Sequence, residues 1–425
     1  MDNLPSTVDL NAYKAYINEE TIYSVTNKFL NSIDLKWESQ SPPTLRIIVL
    51  NSIILNWHEV PILSEIPKQA DKNYILENLD VNLPIKLLST HIREDIFWNR
   101  CFRNRWRNCF PENANKRWIS SYMEKDLAEM LENLEPCNYD QEEMQRILEI
   151  AAPYIEELNI SCLQPSMDDK TDHVPFDFIL SNLTELNKLH VSYIAKKIGT
   201  NFYLGCSSMS PNDATNLCRG LQKTYDLLEF CLHSTKLDLP MIKAFARSLD
   251  KGCPNLTSLN LTNCCVGDNG FVEFIQVLSS ESFVNLKRLI LTNNFFSQKT
   301  ALYLSKMIRN RRIEHLDISL NPIGSEGAAT IFSVVHKLPI KFLNISACSI
   351  TETIEKLLLK LLVDNKTLFH FNISNNELGN ELGMNIYRII GFNKVLKCLD
   401  LRNTNIQTKL RKDITSVLFQ NKDRL

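Results

Sequence analysis

A chain of 425 residues exceeds what one compact hydrophobic core accommodates, so two domains or one elongated array is implied. Apolar residues at 44% and charged residues at 23% exclude a chain dominated by disorder. A formal net charge of −2 excludes a global field that would draw the whole molecule onto nucleic acid or a membrane, and leaves that role to local patches.

The first residues, Met1-Asp2-Asn3-Leu4-Pro5, lack a basic stretch followed by an apolar one, so no secretion signal is expected, and residues 1–42 read as an N-terminal extension. The longest apolar run, residues 47–55, is broken by Asn51 and Ser52 and falls short of a membrane span. Trp37, Trp57, Trp98, Trp106 and Trp118 are all the tryptophans of the chain and lie in its first 118 residues; the last four fall within residues 43–150, which read as a packing unit of their own. That unit is expected to be mainly helical: Leu45, Ile48, Val49 and Ile53 stand at helical spacing, as do Met123, Leu127, Met130, Leu131 and Leu134. Trp98, Phe102, Trp106 and Phe110 recur every fourth residue, an arrangement that usually packs inward. Interleaved with them, Arg100, Arg103, Arg105 and Arg107, with Lys116 and Arg117 beyond, form a candidate basic patch opposed locally only by Glu112. A solvated or internally paired face is the plain reading of this patch; an acidic protein surface is the leading functional one, with nucleic acid a distant third.

From residue 151 to 425 one pattern repeats. Leu256-x-x-Leu259-x-Leu261-x-x-Cys264-x-Val266 returns at Leu286, Ile313, Ile340, Leu368 and Leu396, at intervals of 30, 27, 27, 28 and 28 residues. Leu227-x-x-Phe230-x-Leu232 extends the array upstream, and Leu186-x-x-Leu189 and Ile155-x-x-Leu158 are degraded first copies, separated by an acidic loop at Asp168-Asp169 and a longer insertion at residues 199–210. Alternating apolar residues imply a short strand with one buried face. The Asn, Cys or Thr that follows, such as Asn321, is placed to bond backbone groups where the chain turns away. A stretch at helical spacing comes next, for instance residues 327–335. Strands stack about 4.8 Å apart and helices need about 10 Å, so strand-plus-helix units must curve with the strands inside. The expected fold is therefore α/β: a leucine-rich-repeat solenoid, a horseshoe of the ribonuclease-inhibitor class, preceded by a mainly α-helical N-terminal module.

Residues between the core leucines point into the hollow and fall in columns. One column is Asn260, Ile290, Asp317, Asn344, Asn372 and Asp400; the next is Thr262, Thr292, Ser319, Ser346, Ser374 and Arg402. Small hydroxyl and amide groups suit a protein partner better than a polyanion. Any single member is more often a solvated strand residue than an anchor, because a few residues carry most interfaces. His315 and His370 occur one per strand without Asp or Cys at ligand spacing, and read as surface residues.

No phosphate loop G-x-x-x-x-G-K-[ST], no H-E-x-x-H, no G-x-S-x-G and no C-x-x-C is present, so no catalytic, cofactor or metal site is assigned. Twelve scattered cysteines favour a reducing, cytoplasmic compartment. Neither a nucleic acid nor a membrane is expected as a partner.

Pro43-Thr44-Leu45-Arg46, Val60-Pro61-Ile62-Leu63, Leu83-Pro84-Ile85-Lys86-Leu87, Phe97-Trp98-x-Arg100-Cys101 and Arg105-Trp106 stand in a distinctive order. They are followed by Trp118-x-x-x-Tyr122-x-Glu124-x-x-Leu127, Tyr154-Ile155 and Gly199-x-Asn201-Phe202. Over roughly residues 43–425 the chain resembles the T-complex-associated testis-expressed protein family, the leucine-rich-repeat subunit of the nexin-dynein regulatory complex. The resemblance implies a non-catalytic scaffold in the axoneme of motile cilia and flagella, sitting between neighbouring doublet microtubules and regulating dynein-driven bending. Implied partners are the other subunits of that complex, with tubulin or dynein as further candidates. The short acidic insertion and the early stop after the last repeat depart from the family, and imply that a tail contact is lost. Two rivals remain open. Leu83-Pro84-x-x-Leu87-Leu88 with Trp106 also suits an F-box adaptor of a ubiquitin ligase, though its spacing is short; a GTPase-activating solenoid would need an arginine finger that is not evident.

Overall fold

The computed structural model describes residues 43–110, 115–164, 172–194, 209–280 and 283–420. The N-terminal extension, Glu112, Asp168, Asp169, Gly199, Asn201 and Phe202 lie outside the described residues. The chain divides into two compact units, Met1–Ile92 and Arg93–Leu425.

In the first unit three helices are described: α1 (Leu45–Leu55), α2 (Gln69–Asn78) and α3 (Ile85–His91). Thr44 caps α1 by accepting from the Ile47 amide, which satisfies one of the amides a helix start leaves free. The helix stands where the spacing put it, but its inward side is different. Leu50 is buried, whereas Leu45, Ile48 and Val49 are exposed. Trp57, Leu63, Ile66, Ile75, Leu76, Leu79, Leu88 and Ile92 are the other buried apolar residues described in this unit.

The second unit opens with α4 (Asp95–Arg105), α5 (Trp118–Asn133) and α6 (Gln141–Ala151). Residues 43–150, read from the tryptophans as one module, thus fall into both units. Trp98 and Phe102 of the aromatic stripe are buried against Tyr122 and Trp118, at ring separations of 5.3 and 5.6 Å. The stripe ends with α4: Phe110 lies beyond the helix and is 62% exposed.

Then strand and helix alternate: β1 (Glu157–Ile160), α7 (Phe176–Asn182), β2 (Lys188–Val191), α8 (Pro211–Leu221), β3 (Glu229–Leu232), α9 (Leu239–Gly252) and β4 (Ser258–Asn260). The regular repeats follow as α10 (Gly267–Leu278), β5 (Arg288–Ile290), α11 (Gln298–Arg309), β6 (His315–Asp317), α12 (Gly324–Val335) and β7 (Phe342–Asn344). The last are α13 (Glu355–Asp364), β8 (His370–Asn372), α14 (Gly379–Ile390), β9 (Cys398–Asp400) and α15 (Thr408–Phe419). The nine strands form one parallel sheet in sequence order. Register aligns Leu158, Leu189, Phe230, Leu259, Leu289, Leu316, Leu343, Phe371 and Leu399 in one buried column. The unit is a leucine-rich-repeat solenoid whose array begins at the degraded copy near Ile155. Each such side chain stabilises the fold by roughly 1.5–3 kcal/mol through burial.

The residue after each strand works as a ladder. Asn321, fully buried, donates Nδ2 to the carbonyls of Leu291, Ile318 and Ser319, and its Oδ1 accepts from the amides of Asn294 and Phe296. Asn294 and Asn376 repeat this arrangement one or two repeats away. At the equivalent positions Cys264 and Cys348 donate their thiols to the Leu232 and Ile318 carbonyls of the preceding strand. The turn next adopts left-handed backbone, which Gly324 reaches at φ 68° without the Cβ strain other residues meet.

Among the described residues no strand pairs with the outer side of β1. There α5 covers it: Glu124 accepts from the Glu156 and Glu157 amides at 3.0 and 2.8 Å, and Glu132, two helical turns on, accepts from the Ser161 amide and hydroxyl. Side-chain carboxylates thus satisfy amides that an open edge would offer to another chain.

Candidate functional site

The two columns read from the sequence come together on the open strand face, as alternation requires, but their polar groups turn on one another. Asn260 Oδ1 accepts from the Thr262 amide at 3.0 Å and its hydroxyl at 2.6 Å. Asp317 does the same for Ser319, Asn344 takes the Ser346 amide, and Asn372 takes Ser374. Asp400 holds Arg402 by its amide and guanidinium; against the upward push of partial burial, that guanidinium keeps the Asp400 carboxyl below its ordinary range. Ile290 cannot accept, and Thr292 reaches instead across to Asp317 at 3.0 Å. Asn344 also donates to Asp317 at 2.8 Å, so hydrogen bonds run between repeats as well as within them. The columns therefore form a flat, pre-ordered floor whose donors and acceptors are largely engaged.

A third column, one residue before each core leucine, shares this face: Ser258, Arg288, His315, Phe342, His370 and Cys398. Here the two histidines, expected to be isolated, bracket one phenylalanine. His315 and Phe342 stack at 4.0 Å with planes 4° apart, and His370 lies 6.3 Å beyond Phe342. Burial, with the Arg288 guanidinium nearby, pushes the His315 imidazole down to about 4, so at neutral pH the stack is uncharged. Exposed Arg288 beside a run of aromatic rings is the composition in which interface energy concentrates. The signal was available in sequence, because residues on either side of a core leucine share a face; considering each histidine alone concealed it.

The six candidate basic residues do not gather into one free surface. Arg105 is ion-paired with Asp126 and with Glu129 at 3.1 Å, and Lys116 with Glu124 at 2.5 Å where both side chains are 13% exposed. Arg103 donates to Asn99 and lies over the Trp118 ring; Arg100 lies over Phe97; Arg117 donates to the Arg93 carbonyl. Arg107 is exposed. The neutralising carboxylates come from α5, beyond the reach of a local reading that found only Glu112.

Among the described residues no group of three or more His, Cys, Asp or Glu side chains is placed to hold a metal ion. No described helix is long and apolar enough to cross a membrane. Burial pushes the Cys348 thiol up to about 12, and Cys264 higher, which suppresses the nucleophilic thiolate at both ladder positions.

Comparison with known proteins adds the following. A family model described as Leucine Rich repeat matches residues 252–274 and 309–332. Dynein regulatory complex subunit 5 of Mus musculus is 24% identical over 260 residues, which cover 56% of this chain and 52% of that protein. The protein of the same name from Chlamydomonas reinhardtii is 24% identical over 194 residues, covering 46% and 48%. The chain spans about half the length of the curated relatives it matches. A solved structure, the Rad7 and Elc1 complex in yeast, has a TM-score of 0.48 at 13% identity, covering 93% of this chain and 87% of that one.

Proposed function

Because the chain is a leucine-rich-repeat relative of the proteins named dynein regulatory complex subunit 5, we propose that it is a non-catalytic scaffold subunit of that complex in the axoneme of motile cilia and flagella. In this reading it regulates dynein-driven motility, in the sperm flagellum among others, by binding fellow subunits, with tubulin or dynein as further contacts. The observation that carries the binding role is the open strand face: a pre-ordered polar floor with the His315–Phe342–His370 run and Arg288 standing on it as anchors. The axonemal setting rests on the relatives' name and on the motifs before the repeats. Partner binding is the chemistry that aromatic anchors on a pre-ordered polar floor support.

The test is the tagged chain expressed in a ciliated cell, followed by detergent extraction of the axoneme and affinity purification. It is expected to remain with the extracted axoneme and to bring down dynein regulatory complex subunits, and Phe342→Ser is expected to lose part of that set. A soluble chain that purifies with a Skp-type ligase adaptor would replace this reading with the F-box one. Stimulated GTP hydrolysis by a small GTPase would favour the third class.

A further inference from the structure

Free positive charge gathers at the opposite end of the strands from the ladder. Along the edge where each helix turns back into the next strand, cations accumulate from β5 onward. Lys287 and Arg288 lead into β5, Arg309 and Arg312 into β6, and Lys337 into β7; all five are exposed and form no ion pair with any described residue. Farther on, Lys366 precedes β8 and Lys394 precedes β9. These two donate to the carbonyls of Val363 and Gly391, as Arg311 does to that of Ser280. A cation near a helix C-terminus offsets the macrodipole, which explains part of this composition. A neutral carbonyl does not cancel a charge, however, and the helix-end effect gives no reason for Lys287, Arg288 and Arg312, which belong to strand entries. Of the acidic residues on this edge, Glu314 is taken by Lys341 at 2.6 Å. Between the loops entering β7 and β8 an open groove of about 610 Å³ is lined by Lys337, Lys360 and Lys366 with His336, against the one carboxylate of Asp364.

We propose that this rim binds an extended acidic segment of a partner protein, laid across the repeats from β5 to β9. The spacing fits that occupant. Successive repeats present a cation every 5–10 Å or so, the range between strand and helix stacking, and alternate residues of an extended peptide lie about 7 Å apart. A nucleic acid strand would carry similar spacing, but the floor beside the rim holds the Asp317 carboxylate, which forms no ion pair with any described residue and repels a continuous line of phosphates. A polypeptide can place neutral residues there. The rim meets the strand face at Arg288, which borders both, but its other cations and the lysine-lined groove stand apart from the aromatic rings, and this proposal rests on those whether or not the strand face binds dynein regulatory subunits.

The experiment uses the full chain and a fluorescein-labelled peptide of alternating glutamate and serine, followed by fluorescence anisotropy at low and at physiological salt. Saturable binding that weakens with salt is expected, with a loss of about tenfold or more in the Arg312→Glu/Lys337→Glu double variant. Both side chains are exposed and unpaired, so the variant is expected to keep the parent urea midpoint. Phe342→Ser is expected to leave the peptide titration unchanged, which separates failure of this surface from failure of the strand face. Equal binding of a lysine–serine peptide, tighter binding of an oligothymidylate of the same charge, or an unchanged titration in the double variant would each overturn the proposal.

Discussion

Replacing Asn321 by leucine tests the ladder most directly. The side chain is fully buried, and five hydrogen bonds converge on it. Leucine has the same number of side-chain heavy atoms with the same branching, so no cavity is left, although its bulkier methyl groups add some overpacking to the cost. What is lost is the acceptor for two buried amides, those of Asn294 and Phe296, and the donor to three carbonyls. Each stranded amide costs roughly 1–3 kcal/mol, which gives about 2–6 kcal/mol for the pair before the carbonyls are considered. Burial of the added apolar surface offsets roughly 1–2 kcal/mol of this, and a net loss near 3 kcal/mol is expected. Asn321→Cys should fall between the parent and leucine, because the thiols of Cys264 and Cys348 still serve a carbonyl of the preceding strand. Exposed Lys299→Leu, in the adjoining repeat, should stay within about 0.5 kcal/mol of the parent. Solenoids open repeat by repeat, so amide hydrogen exchange over β5 and β6 reads the effect more directly than a global melt. The Asn294 and Phe296 amides are expected to exchange about a hundredfold faster in Asn321→Leu. Exchange and urea midpoint no different from Lys299→Leu would refute the ladder as a source of stability.

Other consequences can be checked on the same material. Lys116→Met leaves the largely enclosed Glu124 carboxylate without its cation and should cost about 2–3 kcal/mol. Burial already raises the Glu124 carboxyl above its ordinary 4.5, so stability in the variant should fall as pH rises through the carboxylate range, and urea midpoints measured across that range would show it. His315, pushed down to about 4 from an ordinary 6.5, contributes stability that is complete above pH 6.5 and declines toward about 4 as the unfolded chain takes up the proton first; His315→Phe should flatten that slope in acid titrations of the midpoint. Leu320 is 52% exposed at φ 57°, where four of the corresponding residues are Asn263, Asn293, Asn375 and Asn403 and the others are Ser234 and Ala347, so Leu320→Asn should gain up to about 1 kcal/mol in urea unfolding. A fragment of residues 151–425, without α5, bares the β1 edge and should aggregate on a sizing column, whereas residues 93–425 should elute as a single species. Equal behaviour of the two fragments would assign the carboxylates of α5 no protective role.

The repeats were readable because each copy states its own strand, turn and helix within about 28 residues, and because Asn, Cys and Thr at one position have few other reasons to recur. The ladder followed from that recurrence, and Asn294, Asn321 and Asn376 fill the role the sequence assigned. What could not be read were relations set by folding rather than by offset. Helical spacing identified α1 and put Leu45, Ile48 and Val49 on one face, but Leu50 stands on another, and only packing chose that side as the inward one. The arginines of α4 looked unopposed because Asp126 and Glu129 enter only when α5 folds back alongside.

The strand face shows the same division in a form that bears on function. Its columns could be written down from alternation alone, and the hydroxyl and amide groups in them suggested a surface eager for hydrogen bonds. Folding uses most of those groups internally, Asn260 on Thr262, Asp317 on Ser319, Asn372 on Ser374. A floor that has already satisfied itself binds through the features that rise from it, because a partner gains little by competing for engaged donors and acceptors. Those features are the ring of Phe342 with its flanking histidines, and Arg288, none of which recurs from repeat to repeat. The regular positions therefore build the scaffold, and the departures from regularity give it something to recognise. For a repeat protein of this kind, candidate contacts are better sought where a column breaks its own rule than where it keeps it.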